Sequence, residues 1–299
     1  MLLNSQTLCF EWLRSKKGKI KPSTYDKYDM ILNKYLLDFF NNYHLDQLDI
    51  SIIKDYFISL LDQGLSSSVV QSIKNVLKAI YITYENQYGL NHIDFSLVKI
   101  EQEKKENASL LDEQFNQLHQ YCLNTIDAIH LGVLLAMDTG MMIGEICALK
   151  VSDIDLNKKM ISITKRTQRV KNEERGSKTI YEVADVEWPI KRNIAIPQSL
   201  IQYLEIYLKD KNKNDYLLSN NQHASDFKKL QRDLDKITQQ LGFKTTYKDL
   251  RNMYKEHCMK KCLDVNVVME LLGLQSMKLS LPQDYNSSDE EKIKQVNKL

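Results

Sequence analysis

Residues 136–155 read Ala136-Met137-Asp138-Thr139-Gly140-Met141-Met142-Ile143-Gly144-Glu145-Ile146-Cys147-Ala148-Leu149-Lys150-Val151-Ser152-Asp153-Ile154-Asp155. The pattern predicts a helix that ends at Asp138-Thr139, breaks at Gly140, and restarts with Ile143, Ile146 and Leu149 turned inward at helical spacing. Glycine reaches positive φ without a Cβ clash, so the break falls there and residue 142 is held just after a sharp turn. Read alone, the stretch is a joint between two core helices. Met142 places an uncharged, polarisable thioether at that turn, a group that packs well and cannot hold a phosphate.

Upstream, Leu111-Asp112-Glu113 opens a helix with Phe115, Leu118 and Cys122 inside, and Ile129 to Met137 forms a second, strongly apolar one. Before them, residues 1–105 read as helices only. Gln6 to Ser15 turns Leu8, Phe10 or Cys9, and Leu13 inward. A basic run from Arg14 to Lys21 follows, and Pro22-Ser23-Thr24 then starts a long helix with Tyr28, Ile31, Leu32, Tyr35 and Phe39 on one side. Ser51 to Asp62 makes a third, with Ile52, Tyr56 and Leu60 as its stripe and Gly64 closing it. After Leu65-Ser66-Ser67-Ser68 comes a fourth, striped by Val69, Ile73, Leu77, Ile80 and Tyr84. Leu90 to Ala108 lacks a period and reads as a linker.

Downstream, Met160 to Thr164, Ile180 to Val183 and Arg192 to Pro197 alternate as half-buried strands. The basic residues Lys165, Arg166, Arg169, Lys171, Arg175 and Lys178 lie between the first two. Pro197 to Lys209 and Ser225 to Leu241 follow as helices, the second expected to be capped by Ser225. Then come Thr245-Thr246-Tyr247-Lys248-Asp249-Leu250-Arg251-Asn252, the run Leu271-Leu272-Gly273-Leu274, and Tyr285. Residues 287–299 begin with a capping pattern and read as a final short helix.

Taken together, these stretches resemble the tyrosine recombinases, the family of phage and transposon integrases. Thr139, Gly140, Gly144, Glu145, Ile146, Leu149, Asp153, Ile154 and Asp155 fit its first signature box, T-G-x-R-x-G-E-[LI]-x-x-L-x-x-x-D-[IV]-D. Arg251 fits the arginine of its second box, H-x-L-R-H, and Leu271-Leu272-Gly273 fits its L-L-G-H turn. The resemblance implies a mainly α fold with a small antiparallel β-sheet: an N-terminal SAM-like helical core-binding domain (residues 1–105) that clasps DNA, and a tyrosine recombinase catalytic-type α+β domain (residues 106–299).

In that family a tyrosine hydroxyl attacks a DNA phosphodiester, and two transesterifications conserve the bond energy, so no nucleotide cofactor or metal is implied. Two arginines oppose the transition-state charge, while a lysine and histidines handle protons. Tyr285 stands near the nucleophile's position and Arg251 at the second arginine's. Met142 replaces the first arginine, Lys248 and Asn252 replace the two histidines, and Leu274 replaces the histidine of the turn. Counting back from Ile194-Ala195-Ile196-Pro197, the family's lysine would fall near Trp188-Pro189-Ile190, where there is none; Lys191 is off register. Catalysis is therefore expected to be vestigial, with Tyr285, Arg251 and Lys248 as its remnants.

Lys16, Lys17, Lys19, Lys21, Lys74, Lys78, Lys165, Arg166, Arg169 and Lys191 are the candidate phosphate contacts, as against solvated helix faces. The implied partner is double-stranded DNA, with homo-oligomerisation or association with an active recombinase through the C-terminal helix. Two alternatives stay open: a working integrase with a rewired site, and a protein-interaction scaffold that has abandoned DNA.

Composition narrows the class without deciding it. At 299 residues the chain has room for about two cores. Its net charge of +2 argues neither for nor against nucleic acid, so affinity must come from where the charges sit. Five scattered cysteines suit a reducing compartment. Cys258 and Cys262 beside His257 lack a fourth ligand and zinc spacing, so no metal is expected. With neither a signal-peptide pattern nor a spanning apolar run, the expected location is the cytoplasm, at the nucleoid, with no membrane contact.

Overall fold

The structure is a computed structural model, and it describes residues 4–100, 110–171, 179–261, 263–275 and 287–299. It is mainly helical with a small antiparallel sheet. Two compact units divide the chain, Met1–Glu106 with Val170–Ile180 and Asn107–Arg169 with Tyr181–Leu299.

The first unit is a helical bundle of α1 (Ser5–Lys16), α2 (Pro22–Ile31), a π-helical turn (Leu32–Leu36), α3 (Leu37–Asn42), α4 (Ile50–Asp62) and α5 (Ser67–Tyr88). Asn4 and Asp49 start α1 and α4 by accepting backbone N–H groups of Thr7 and Ile52, and Gly89 ends α5 in the left-handed conformation. The long second helix of the sequence is thus three continuous segments. Several stripes are rotated from expectation. In α1 Trp12 is buried while Phe10 is exposed; in α4 Ile53 and Phe57 are buried while Ile52 and Tyr56 lie at the edge; in α5 Val70 is buried rather than Val69. Part of the expected linker also belongs to the bundle. Ile93, Phe95 and Val98 are buried in its core, and Tyr81 Oη donates to the Asn91 carbonyl at 2.6 Å. Phe95 packs from a single 3-10 turn (Phe95–Leu97) and the other two from the irregular backbone on either side, so no period announces them.

The second unit contains α6 (Asp112–Leu123), α7 (Ala128–Thr139), α8 (Ile143–Ala148), β1 (Ile154–Asp155), β2 (Met160–Ile163), most of β3 (Lys165–Lys171) and of β4 (Thr179–Asp185), β5 (Arg192–Ala195), α9 (Gln198–Tyr207), α10 (Phe227–Gln240), α11 (Tyr247–Lys260), α12 (Val265–Leu272) and α13 (Asp289–Val296); Val170 and Lys171 of β3 and Thr179 and Ile180 of β4 fall in the first unit. β2 lies between β1 and β5, antiparallel to both, with Ile161 opposite Ile154 and Ile194. β3 and β4 form a separate two-stranded ribbon inserted in the connection from β2 to β5.

Buried α7 is the hub: Leu131, Val133, Leu134, Leu135 and Ala136 are fully enclosed, with α6 and α11 packed against them. His119 Nε2 meets Asp138 Oδ1 at 2.7 Å, tying α6 to α7. Asp226, not Ser225, caps α10, accepting the Lys228 N–H at 2.7 Å. Among the described residues, no helix is long and apolar enough to cross a membrane.

Candidate functional site

The break at Gly140 fixes the geometry of the site. Gly140 ends α7 at φ +63°, and a Cβ there would lie 2.4 Å from Tyr254 Cδ1 and 2.7 Å from Leu272 Cδ2, so both backbone and space demand glycine. Met142 then becomes the N-cap of α8, half-buried, and its N–H donates to Glu145 Oε2 at 2.8 Å. Gly144 faces the inserted ribbon, where a Cβ would come within 2.7 Å of the Thr167 carbonyl.

Glu145 is fully buried, and a buried carboxylate needs a cation. Arg192, at the start of β5, supplies it in bidentate form: Nη1 to Oε1 at 2.7 Å and Nη2 to Oε2 at 3.0 Å. Arg192 also donates from Nε to the Leu271 carbonyl at 2.7 Å and from Nη1 to the Ile190 carbonyl at 2.8 Å. The turn after α12 closes over this guanidinium, and at Gly273 (φ +63°) a Cβ would sit 3.0 Å from Arg192 Nη1.

Arg251, in the first turns of α11, completes the arrangement. Its Nη1 donates to the Gly140 carbonyl at 2.6 Å and its Nη2 to the Leu272 carbonyl at 2.5 Å. It thereby joins the two turns that the resemblance singles out. Burial pushes its guanidinium down to about 10; Glu145 opposes that fall and Arg192 adds to it. The group stays cationic at neutral pH, so the centre holds two guanidinium groups against one carboxylate.

The other expected site residues are less gathered. Lys248 and Asn252 are exposed on α11. Leu274 packs against Tyr254, Cys258, Leu263, Val268 and Leu272, an apolar cluster under the turn. Tyr285 lies outside the described residues, as do Arg175, Lys178 and Cys262. His257 turns to Asp112 at 3.2 Å, and burial pushes the Cys258 thiol up to about 12.

Sequence reasoning missed the Arg192–Glu145 pair. A signal existed: Arg192 shares the inward register of Ile194, and Glu145 precedes the inward Ile146 on α8. The expected search for a lysine near Trp188 also meets a different connection. The chain leaves β2 through the β3–β4 ribbon before reaching β5, and residues 186–191 lead into β5 with the Lys191 N–H bonded to the Glu187 carbonyl at 2.9 Å. The tip of the ribbon lies outside the described residues.

Of the candidate phosphate contacts, Lys17, Lys19 and Lys21 are exposed around the α1–α2 connection, and Lys16 lies with Nζ 5.3 Å from the Trp12 ring. Lys78 is exposed on α5, one turn from Lys74. The Lys74 ammonium donates to the Val98 carbonyl, and burial, with Lys78 nearby, pulls it below the usual lysine value. Lys165, Arg169 and Lys191 are exposed and Arg166 is half-buried.

A family model described as the phage integrase family matches residues 108–292, and one described as the phage integrase N-terminal SAM-like domain matches residues 6–61. The chain is 26% identical over 300 residues to the protein "Tyrosine recombinase XerC-like" of Caldanaerobacter subterraneus subsp. tengcongensis, covering 89% of this chain and 74% of that one. It is 26% identical over 285 residues to "Tyrosine recombinase XerA" of Pyrococcus furiosus, covering 94% and 88%. Its fold matches the Tn1549 transposon integrase in complex with a circular intermediate DNA, at TM-score 0.78 and 15% identity over 97% of both chains. It also matches a lambda integrase dimer bound to a COC' core site, at TM-score 0.66 and 14% identity, over 96% of this chain and 80% of that one.

Proposed function

The chain belongs to the phage integrase family, and from that premise we propose that it is a duplex-DNA-binding protein of the tyrosine recombinase type, impaired in strand cleavage and acting as an accessory or regulatory DNA binder. On this reading residues 1–105 are the DNA-clamping helical domain and 106–299 the catalytic-like domain. One observation carries it: the α8 N-cap, where the family pattern has an arginine, holds the uncharged Met142, while Arg251 directs two N–H groups to backbone carbonyls. Losing one preorganised donor costs about 10²–10³ in rate. Met142, Asn252 and Leu274 are three losses within a single cooperative centre, though such losses do not simply add.

DNA as the partner is supported by the family and by the integrase–DNA complexes that share the fold. Exposed Lys17, Lys19 and Lys21 offer phosphate contacts on the first unit, and Lys165 and Lys191 on the second. Association with an active recombinase through α13 requires that helix to leave its own chain, where it packs on β5 and α12.

The retained Arg251, together with Lys248 exposed on the same helix, favours a second reading, an active recombinase with a rewired proton donor. Incubation with nicked suicide duplexes of randomised core sequence, resolved on denaturing gels, separates the two. The primary reading expects no covalent adduct; an adduct that disappears in Tyr285→Phe overturns it. Affinity for duplex DNA measured across salt concentrations should fall steeply, by about 0.9 log units per log unit of salt for each phosphate contact. A flat response would turn the assignment to a protein scaffold.

A further inference from the structure

The first unit carries a groove of about 610 Å³ between α3 and α4, remote in sequence from every residue of the centre described above. Aromatic rings line it. Tyr56 stacks on Phe39 at 4.3 Å, Tyr43 lies 5.2 Å from Phe39, and Tyr56 Oη donates to the Tyr35 carbonyl at 2.9 Å, bracing the π-helical turn. The exposed carboxylates of Asp38 and Asp55 stand at the rim, over a floor that includes Ile52 and Leu60.

The electrostatics of this face are the reverse of those around the α1–α2 connection. From Lys34, which itself lines the groove, to Ser66 the chain has five aspartates and two lysines, whereas from Arg14 to Lys27 it has six cations against Asp26. A phosphate backbone would be repelled here. An organic cation finds ring faces, carboxylates and an apolar floor for its stem. The groove already holds one such contact of its own, since Lys34 Nζ lies 5.2 Å from the Tyr35 ring centroid. Burial first, and then the charge of Asp38, raises the Tyr56 phenol above its usual value.

We propose that this groove is a protein-docking site that seats an arginine or lysine side chain of a partner between the rings of Tyr35, Tyr43 and Tyr56 and the carboxylates of Asp38 and Asp55. An open groove of this volume exceeds what a bare metal ion needs and admits a side chain with its flanking backbone. Arginine suits it better than lysine, because its planar guanidinium both stacks on a ring and forks to a carboxylate.

Calorimetry on the full chain tests it, using a five-residue alanine peptide with one central arginine, the same peptide with glutamate, and free arginine. The arginine peptide should bind and the glutamate peptide should not. Asp38→Asn with Asp55→Asn should weaken binding roughly tenfold, and Tyr43→Ala, at an exposed ring, by at least about threefold. Glu205→Gln with Glu256→Gln makes the same charge change at exposed residues of the second unit, outside the groove's lining, and should leave affinity within about twofold of the parent. No binding, equal losses in the two double variants, an unaffected Tyr43→Ala, or free arginine binding as tightly as the peptide would each overturn the proposal. Matching unfolding curves for all variants exclude a folding defect as the cause of any loss.

Discussion

The guanidinium of Arg192 grips the carboxylate of Glu145 with both Nη atoms, at 2.7 and 3.0 Å, in a place closed to solvent. Through that pair β5 is fixed to α8, and through Leu271 to the end of α12. Breaking a buried ion pair from one side costs about 3–5 kcal/mol, since the remaining charge is left uncompensated. Arg192→Met is therefore expected to lower stability by that amount, read from the urea midpoint. A loss under about 1 kcal/mol would mean the pair does not hold the turns together.

Gly140 and Gly89 share a left-handed backbone, yet differ in what surrounds them. A Cβ at Gly89 meets nothing within 4 Å, whereas at Gly140 it strikes Tyr254 at 2.4 Å. Gly89→Ala should cost about 1–2 kcal/mol from the backbone alone. Gly140→Ala should cost about 1–3 kcal/mol beyond that for overpacking. Equal denaturation midpoints for the two variants would contradict the packing seen around the turn.

His119 and Asp138 give the second unit a pH dependence. Burial works against the charged imidazole, but the hydrogen bond and charge of Asp138 outweigh it and raise His119 above its usual value. A raised histidine contributes stability that is fully present below the unfolded value, about 6.5, and lost as pH climbs through the folded one. The gap in melting temperature between the parent and His119→Gln should thus be wider at pH 5.5 than at pH 8.5. A gap that stays constant with pH would show that the pair does not titrate with folding.

Lys292 anchors the C-terminal helix to its own chain, with Nζ 2.7 Å from Glu270 Oε1, both side chains buried. Glu270 Oε2 also accepts the Ser287 N–H at 2.9 Å and the Ser287 hydroxyl at 2.6 Å. Lys292→Met leaves Glu270 without its ammonium, a penalty of about 3–5 kcal/mol that α13 escapes by detaching. Hydrogen exchange across Asp289–Val296 should quicken at least about tenfold, while α7 stays protected. Unchanged exchange in α13 would show that apolar packing alone retains it.

Local pattern by itself determined much of this protein. The break at Gly140, the restart of a helix at Ile143, the strands at Met160 and Arg192 and the helical first half all follow from glycine's freedom and from periods of 3.6 and 2. The signature residues were legible for the same reason, being contiguous. Where a helix is apolar on more than one side, its phase was not legible: in α4, Ile52, Tyr56 and Leu60 make as good a stripe as Ile53, Phe57 and Leu60, and only packing chose the second.

Tertiary structure alone decided the partners. Arg192 and Glu145 lie 47 residues apart and Arg251 and Gly140 lie 111 apart. Spacing along a chain carries no record of which distant carbonyl or carboxylate a guanidinium will meet. That choice follows from desolvation, which leaves a buried charge only those few neighbours able to satisfy it.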